Sequence, residues 1–346
     1  MKKRKLGRIS AMVAASAMMM SLFGMNVSAT EGVVTGEKIT SVPITKTVTT
    51  DGNTYAPDTT FNFSVEMATE GDFEGNLVYA GVEGGLVAEN GATFRPSGDA
   101  PAASYEAEGS LKVNVAKFSK PGVYHYTVRE TAGTYSGITY DDSFYDVYVY
   151  VYVDDNNDMY VGNVVSVKNG AKTGLAFTND YGKDNDGTHD LKVTKTIQGN
   201  QAVIDQKFDF TVQINGTAGE WYKVVVKENS NTAGTESKIV SGAEAVTYQI
   251  TNGGSIEIYG LSDDDTYTVV ETAANEDGYT TTIDSSATKD GKATGVVTKD
   301  GTVISYVNEK NAVTPTGVIM TIAPYVLIVA AAGVLAVLFL RRRRSF

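Results

Sequence analysis

The chain has 346 residues, no cysteine and a net charge of −12, from 29 Lys and Arg against 41 Asp and Glu. A chain of this length suggests two domains of ordinary size. So acidic a chain repels nucleic acid and anionic lipid, which excludes a nucleic-acid partner, and the lack of cysteine excludes disulfides as the source of its stability.

Residues 1–29 have the three parts of a secretory signal peptide in order. Five basic residues lie within the first eight positions, an apolar stretch follows at 11–23, and Val27-Ser28-Ala29 provides the small residues of a cleavage site. The apolar stretch is short for a membrane span, so we prefer a cleaved signal peptide to an uncleaved anchor. The mature chain is therefore expected to begin at Thr30 and to be secreted.

The chain between its two ends is predicted to be all-β. Short runs rich in Val, Tyr, Thr and Phe are separated by clusters of Gly, Asn and Asp, which is typical of strands and turns. This spacing favours β-sandwiches, and no run has a convincing helical period. The clearest predicted strands are 60–67, 122–130, 144–153, 208–214, 223–227 and 266–271.

Four short segments recur in the same order in both halves of the chain. They are ITKTV at 44–48 and VTKTI at 193–197, FNFSV at 61–65 and FDFTV at 208–212, YTVRETA at 126–132 and YTVVETA at 267–273, and FTND at 177–180 and YVNE at 306–309. Such a repeat predicts two homologous sandwich domains, 30–181 and 190–310. The polar, Gly-rich stretch 182–189 between them is predicted to be a linker.

Each half carries polar residues on strand faces that are otherwise apolar. Side chains alternate between the two faces of a strand, so Lys46 shares its face with Ile44 and Val48. The polar residues predicted to point into the cores are Lys46, Glu130 and Asn179 in the first half, and Lys195, Glu271 and Asn308 in the second.

A buried lysine, glutamate and asparagine in contact have a specific chemistry. Burial disfavours charge, so it lowers the pKa of a lysine and raises that of a glutamate. A neutral lysine amine can attack the side-chain carbonyl of Asn and expel ammonia, leaving a Lys-Asn isopeptide bond, while the glutamate shuttles protons. The competing interpretation is a buried ion pair with a hydrogen-bonded Asn. Finding the same three residues twice in one order favours the covalent reaction, which needs no cofactor and occurs once.

Residues 311–346 combine a pentapeptide, an apolar run and a basic tail. The run 318–340 is uncharged and long enough to cross a bilayer as a helix, and Arg341–Arg344 mark its cytoplasmic side. An ordinary membrane anchor would explain both features, but not the pentapeptide before them. That pentapeptide, Val313-Thr314-Pro315-Thr316-Gly317, resembles the Leu-Pro-x-Thr-Gly substrate of sortases, with Thr314 in place of the usual Val or Leu.

This resemblance implies cleavage between Thr316 and Gly317 and transfer of the Thr316 acyl group to an amine. Pro315 favours the extended backbone that such a substrate needs. The transmembrane sorting helix would then hold only the precursor in the membrane.

From signal peptide to basic tail, the chain resembles the backbone pilins of Gram-positive bacteria, especially the two-domain streptococcal type with CnaB-like, immunoglobulin-related domains. The resemblance implies isopeptide bonds Lys46–Asn179 and Lys195–Asn308, promoted by Glu130 and Glu271. It also implies a pilus-class sortase that joins identical subunits, a housekeeping sortase that attaches the polymer to peptidoglycan, and ancillary pilins as partners. Such a protein is a structural subunit of a surface pilus, without a cofactor, a metal or catalytic turnover.

The lysine that accepts Thr316 from the next subunit is less strongly indicated by the sequence. The related pilins imply Lys172, which precedes the last strand of the first domain, and Lys168 is the nearby alternative. The alternative function is a wall-anchored adhesin or ancillary pilin that does not polymerise. With two histidines in the whole chain, we find no set of residues that supports a third class, a secreted enzyme.

Overall fold

The computed structural model describes residues 26–28, 32–35, 38–182, 190–262, 264–298 and 300–312. Most of the predicted signal peptide, the predicted linker 182–189 apart from Gly182, the pentapeptide at 313–317 and the apolar run at 318–340 lie outside these residues. Within the described part of the chain, no helix has both the length and the apolar character that a membrane crossing requires.

The described part of the first half forms fifteen strands and one 3-10 turn, Val115–Lys117. The strands are β1 (Asn26–Ser28), β2 (Val33–Thr35), β3 (Ser41–Thr49), β4 (Thr59–Met67), β5 (Gly71–Phe73), β6 (Asn76–Ala80), β7 (Leu86–Asn90), β8 (Ala92–Phe94), β9 (Ser104–Val113), β10 (Gly122–Thr131), β11 (Ile138–Thr139), β12 (Phe144–Val153), β13 (Met159–Lys168), β14 (Ala171–Lys172) and β15 (Ala176–Tyr181).

These strands make two sheets that face each other. The larger sheet has the order β1-β2-β13-β12-β10-β4-β8, with β14 on β13 and the β5–β6 hairpin beside β10. The smaller sheet has the order β11-β15-β3-β9-β7. Because β1 lies inside the predicted signal peptide, cleavage before Thr30 would remove it and leave β2 at the edge of the larger sheet.

The second half of the described chain repeats this architecture with eleven strands. They are β16 (Leu191–Gln198), β17 (Phe208–Asn215), β18 (Trp221–Lys227), β19 (Thr235–Val240), β20 (Val246–Ile250), β21 (Ser255–Tyr259), β22 (Thr266–Glu271), β23 (Thr280–Ile283), β24 (Ser286–Ala287), β25 (Lys292–Val296) and β26 (Thr302–Glu309). One sheet has the order β19-β18-β21-β16-β26-β23-β24 and the other the order β20-β17-β22-β25. The predicted all-β fold of two tandem sandwiches is confirmed.

Alternating sequence patterns explain how the strands form and which way they face. In β12, Val147, Val149 and Val151 are buried in the first core, while the tyrosines between them point away from it. Burying one such apolar side chain stabilises the fold by about 1.5–3 kcal/mol, so the alternation fixes the face of the strand. A separate apolar cluster fills the second sandwich.

The two sandwiches contact each other directly next to the linker. Thr54 of the first domain forms an isolated β-bridge with Tyr222 of the second. The Tyr181 hydroxyl, at the end of β15, donates to Glu220 Oε1 over 3.0 Å, and Glu220 is buried. The rings of Tyr55 and Trp221 meet edge to face with centroids 5.6 Å apart. The junction therefore includes a buried polar contact as well as aromatic packing.

Candidate functional sites

In the first domain, the structure brings Lys46, Glu130 and Asn179 together in the core. Lys46 Nζ donates to Glu130 Oε2 over 2.7 Å, and Asn179 Nδ2 donates to Glu130 Oε1 over 2.7 Å. Lys46 and Asn179 are 0% exposed and Glu130 is 8% exposed. One carboxylate therefore bridges the amine and the amide.

The second domain repeats the arrangement with Lys195, Glu271 and Asn308. Lys195 Nζ donates to Glu271 Oε1 over 2.9 Å and to Oε2 over 2.8 Å, and Asn308 Nδ2 donates to Glu271 Oε1. All three side chains are buried. The predicted triads are thus contiguous in both domains.

Strand register places each lysine and asparagine in the same relation. In each domain the strand that carries the lysine lies beside the last strand and parallel to it, β3 with β15 and β16 with β26. Lys46 is opposite Phe177 and Asn179 is opposite Val48, two residues further along. In the second domain Lys195 is opposite Tyr306 and Asn308 is opposite Ile197, in the same offset.

Each glutamate reaches the pair from the opposite sheet. Glu130 on β10 pairs with Phe63 of β4, and Glu271 on β22 pairs with Phe210 of β17. Because β10 and β22 belong to the sheets that face β3 and β16, the carboxylates cross the core to meet the lysines. The repeated sequence segments therefore occupy the same relative positions in the strands of both domains.

The surroundings of both amines are apolar and shift their titration. Burial lowers the pKa of Lys46, opposed by its hydrogen bond and attraction to Glu130. Burial lowers the pKa of Lys195 to about 8, again against the attraction of Glu271. Lys195 Nζ lies 4.2 Å from the centroid of the Phe208 ring, and Lys46 Nζ lies 5.0 Å from that of Phe61. A pKa of about 8 leaves about a tenth of the amine neutral at pH 7, enough to act as a nucleophile.

The two sites differ at the carbonyl oxygen of the asparagine. The backbone N–H of Asp141 donates to Asn179 Oδ1 over 2.8 Å, whereas Asn308 Oδ1 is buried without a partner within the described residues. A donor at this oxygen stabilises the negative charge that develops on it when an amine attacks the adjacent carbon. Sequence reasoning missed Asp141 because its contribution is a backbone N–H. The only available signal was the loop composition around Ser143, which is typical of a turn.

The two candidate linkage lysines have different environments. Lys168 Nζ donates to Ser143 Oγ over 2.8 Å and lies 5.0 Å from the centroid of the Tyr145 ring, half-buried. Lys172 is exposed on the short strand β14, where its side chain pairs with Glu74. Of the two lysines, Lys172 is therefore the more exposed. The predicted acyl donor, Thr316, lies outside the described residues.

Family models match both halves of the chain separately. Residues 42–182 match the FctA family, described as a Spy0128-like isopeptide containing domain. Residues 189–310 match DUF7601, described as a domain of unknown function.

Similarity to a pilin extends over nearly the whole length. A pilin of Streptococcus pyogenes serotype M1 is 28% identical over 334 residues, which cover 91% of this chain and 93% of that pilin. This full-length similarity confirms the predicted resemblance to the Gram-positive backbone pilins. Among its relatives with solved structures, the major pilin T3.2 of Streptococcus pyogenes serotype GAS13637 is 25% identical with a TM-score of 0.59, covering 81% of this chain and 99% of that one.

The fold is similar even to that of a pilin with lower sequence identity. Another major pilin of Streptococcus pyogenes, 22% identical, gives a TM-score of 0.59 over 79% of this chain and 99% of its own. The pilus tip adhesin Cpa of Streptococcus pyogenes is 28% identical over 130 residues, which are 38% of this chain and 18% of the adhesin. The match over nearly the full length is to a pilin, which supports the role of this chain as a structural subunit of a pilus.

Proposed function

We propose that the chain is the shaft subunit of a covalent surface pilus on a Gram-positive-type bacterium. A pilus-class sortase cleaves it between Thr316 and Gly317 and passes the Thr316 acyl group to Lys172 of the next subunit. A housekeeping sortase finally attaches the polymer to peptidoglycan, and ancillary pilins decorate it. The sorting signal in the sequence, the pilin relatives and the exposed amine of Lys172 support this proposal.

Each domain is proposed to complete itself with one intramolecular isopeptide bond. The neutral lysine amine attacks Cγ of the asparagine. The glutamate takes the proton that the attacking nitrogen loses and hands it to Nδ2, so the Cγ–Nδ2 bond breaks and ammonia leaves. The observation that carries the proposal is one carboxylate hydrogen-bonded to both the amine and the leaving amide, found in both domains.

The bonds Lys46–Asn179 and Lys195–Asn308 would stiffen the subunit. By analogy with a disulfide that closes a loop of similar size, each would add about 5 kcal/mol of stability through the entropy of the unfolded chain. Under tension the second bond matters more. A force that enters at Lys172 and leaves at Thr316 would pass through the linker to Lys195, cross the bond to Asn308 and bypass the rest of the second domain.

Polymerisation is tested with the full chain and its pilus sortase in a Gram-positive host. We expect a ladder of high-mass species that resists boiling in detergent. Lys172→Ala should abolish the ladder, and Lys168→Ala, the matched control four residues earlier, should leave it unchanged. A ladder that persists in Lys172→Ala contradicts the linkage assignment. A wild-type chain that is anchored but forms no ladder with the sortase favours the alternative of a non-polymerising adhesin or ancillary pilin.

A further inference from the structure

The side chain of Lys172 is held by one residue from a distant part of the sequence. Glu74 lies in the turn of the β5–β6 hairpin, and its Oε1 and Oε2 lie 2.8 and 2.9 Å from Lys172 Nζ. The lysine side chain is 39% exposed and that of the glutamate 52%. The pair is therefore accessible to another protein while its geometry is defined.

The backbone conformation at Glu74 is unfavourable for a glutamate, which points to a role for this side chain other than forming the turn. Glu74 and Gly75 form a two-residue hairpin loop, with φ angles of 54° and 78°. Such loops favour Asn, Asp or Gly at the first position, because a longer side chain is strained at positive φ. Strained backbone positions of this kind concentrate at functional sites.

The hairpin is braced against the sheet, so Glu74 has a rigid support. The Phe73 ring stacks on Tyr148 of β12 with centroids 3.8 Å apart and an interplanar angle of 8°. Strand β6 pairs in parallel with β10, which ties the second half of the hairpin to the large sheet. The centroid of the Phe73 ring also lies 5.9 Å from Lys172 Nζ. Rigid elements of this type hold a reacting group in one direction.

Stability does not account for the pair. Exposed ion pairs contribute little because water screens them and the long side chains lose entropy. A turn with Asn or Gly would be the more stable choice at this position. The cost is explained if the carboxylate acts on the lysine amine.

We propose that Glu74 is a positioning residue for the linkage reaction. It aims the Lys172 amine outward from the Phe73–Tyr148 support, so that the amine meets the Thr316 acyl group carried by a sortase in a fixed direction. The Lys172 ammonium first gives one proton to water, and the neutral amine attacks the Thr316 carbonyl carbon. As the new C–N amide bond forms, the bond from that carbon to the sortase breaks, the second proton passes to the departing sortase group, and Glu74 is unchanged. This inference rests on the proposed linkage through Lys172.

The test compares variants of the full chain co-expressed with the pilus sortase. Glu74→Gln keeps the shape but not the charge, Glu74→Asp keeps the charge, and Glu74→Gly relieves the turn. Glu89→Gln is the control, because Glu89 also faces a lysine in the first domain, Lys112, at 3.7 Å. The rate of ladder growth after induction is measured, with the melting temperature of the monomeric chain from a strain that lacks the sortase.

We expect Glu74→Gln and Glu74→Gly to slow ladder growth roughly tenfold or more, because a misdirected nucleophile reacts slowly. Glu74→Asp should recover part of the rate, and Glu89→Gln should match the wild type. Glu74→Gly should melt at or above the wild-type temperature although it polymerises slowly. A purely structural role predicts the opposite, that rate and melting temperature fall together and that Asp and Gln are equally poor, and this result would overturn the inference.

The inference and the proposed function fail in different ways. If Lys172→Ala abolishes the ladder but Glu74→Gln grows it at the wild-type rate, the role of Glu74 is wrong and the linkage stands. If Lys172→Ala leaves the ladder intact, the linkage assignment fails first, and the inference fails with it.

Discussion

Lys195 lies between the oxygens of Glu271 and the rings of Phe208 and Phe210, in a core where its charge is costly. Attraction to Glu271 favours the ammonium form and burial favours the amine, and burial is the larger effect. The outcome is a pKa of about 8 for Lys195, low enough for the side chain to react near neutral pH. Neither effect alone would give a paired yet nucleophilic lysine.

The rate of bond formation at the second site should follow the neutral fraction of this amine. Below the pKa of about 8 for Lys195, we expect the rate to rise about tenfold per pH unit, and above it to level off. Intact mass measured over time after cell-free synthesis of a Lys46→Ala chain isolates this site. A rate that does not change between pH 6 and 8 would contradict the role of the neutral amine, and Asn308→Ala, which cannot react, sets the baseline.

Parity along each strand predicted which residues enter the cores, because burial and alternation together fix the face of a strand. It could not predict what meets the Asn179 carbonyl. That contact depends on how the loop before β12 folds back, and its donor is a backbone group that any residue except proline could supply. The contact between Glu74 and Lys172 was not predicted for a similar reason, because it depends on where the short β5–β6 hairpin packs in the folded domain.

At the scale of whole strands, the predicted segments at 144–153 and 266–271 coincide with β12 and β22, and 60–67 differs from β4 by one residue. These strands have long alternating patterns with strong β-formers. The short strands β5, β8 and β14 were not predicted, because two or three residues carry too little pattern to separate a strand from a turn. The order in which the strands lie side by side in each sheet also cannot be predicted from the periodicity of the sequence.

The parallel pairing of β16 with β26 determines how the second domain responds to force. A chain pulled at the start of β16 and the end of β26 loads all the hydrogen bonds between these neighbours at once, in shear. A covalent bond between Lys195 and Asn308 would join the same two neighbouring strands within one sheet. The protein segment between these residues would then carry none of the tension.

Single-molecule pulling between Lys172 and the C-terminal end of the mature chain tests this path. Wild-type protein should show no unfolding of the second domain, whereas Asn308→Ala should lengthen by the segment that the bond protects. Asn179→Ala is the matched control, because most of the first domain lies outside the path from Lys172 to Thr316. Equal lengthening of the two variants would contradict the proposed route of the force.

For the molecule as a whole, the junction between the domains concentrates buried acidic groups. Glu220 accepts from the Tyr181 hydroxyl across the junction and from Tyr222, and burial raises its pKa. Burial also raises the pKa of Asp265 to about 7, and the nearby charge of Glu220 adds to this effect. The backbone N–H of Ser262 donates to Asp265 over 2.9 Å, which opposes the shift.

The raised pKa of Asp265 makes stability depend on pH in a defined direction. The folded protein binds this proton up to a pKa of about 7, whereas the unfolded chain loses it near 3.8. The stabilisation is therefore complete below about pH 4 and is lost as the pH rises to 7. We expect the melting temperature of the wild type to fall across this window relative to Asp265→Asn. Asp205→Asn, at an exposed position of the same domain, should track the wild type, and parallel curves for all three proteins would contradict the assignment.

The covalent closure of both domains is the central claim, and the intact mass of the mature chain tests it most directly. We predict a mass below that of the sequence by two ammonia molecules, with one ammonia restored in Glu130→Ala, one in Glu271→Ala and both in the double variant. A wild-type chain at the full sequence mass would contradict the account, because the two triads would then be buried ion pairs and nothing more.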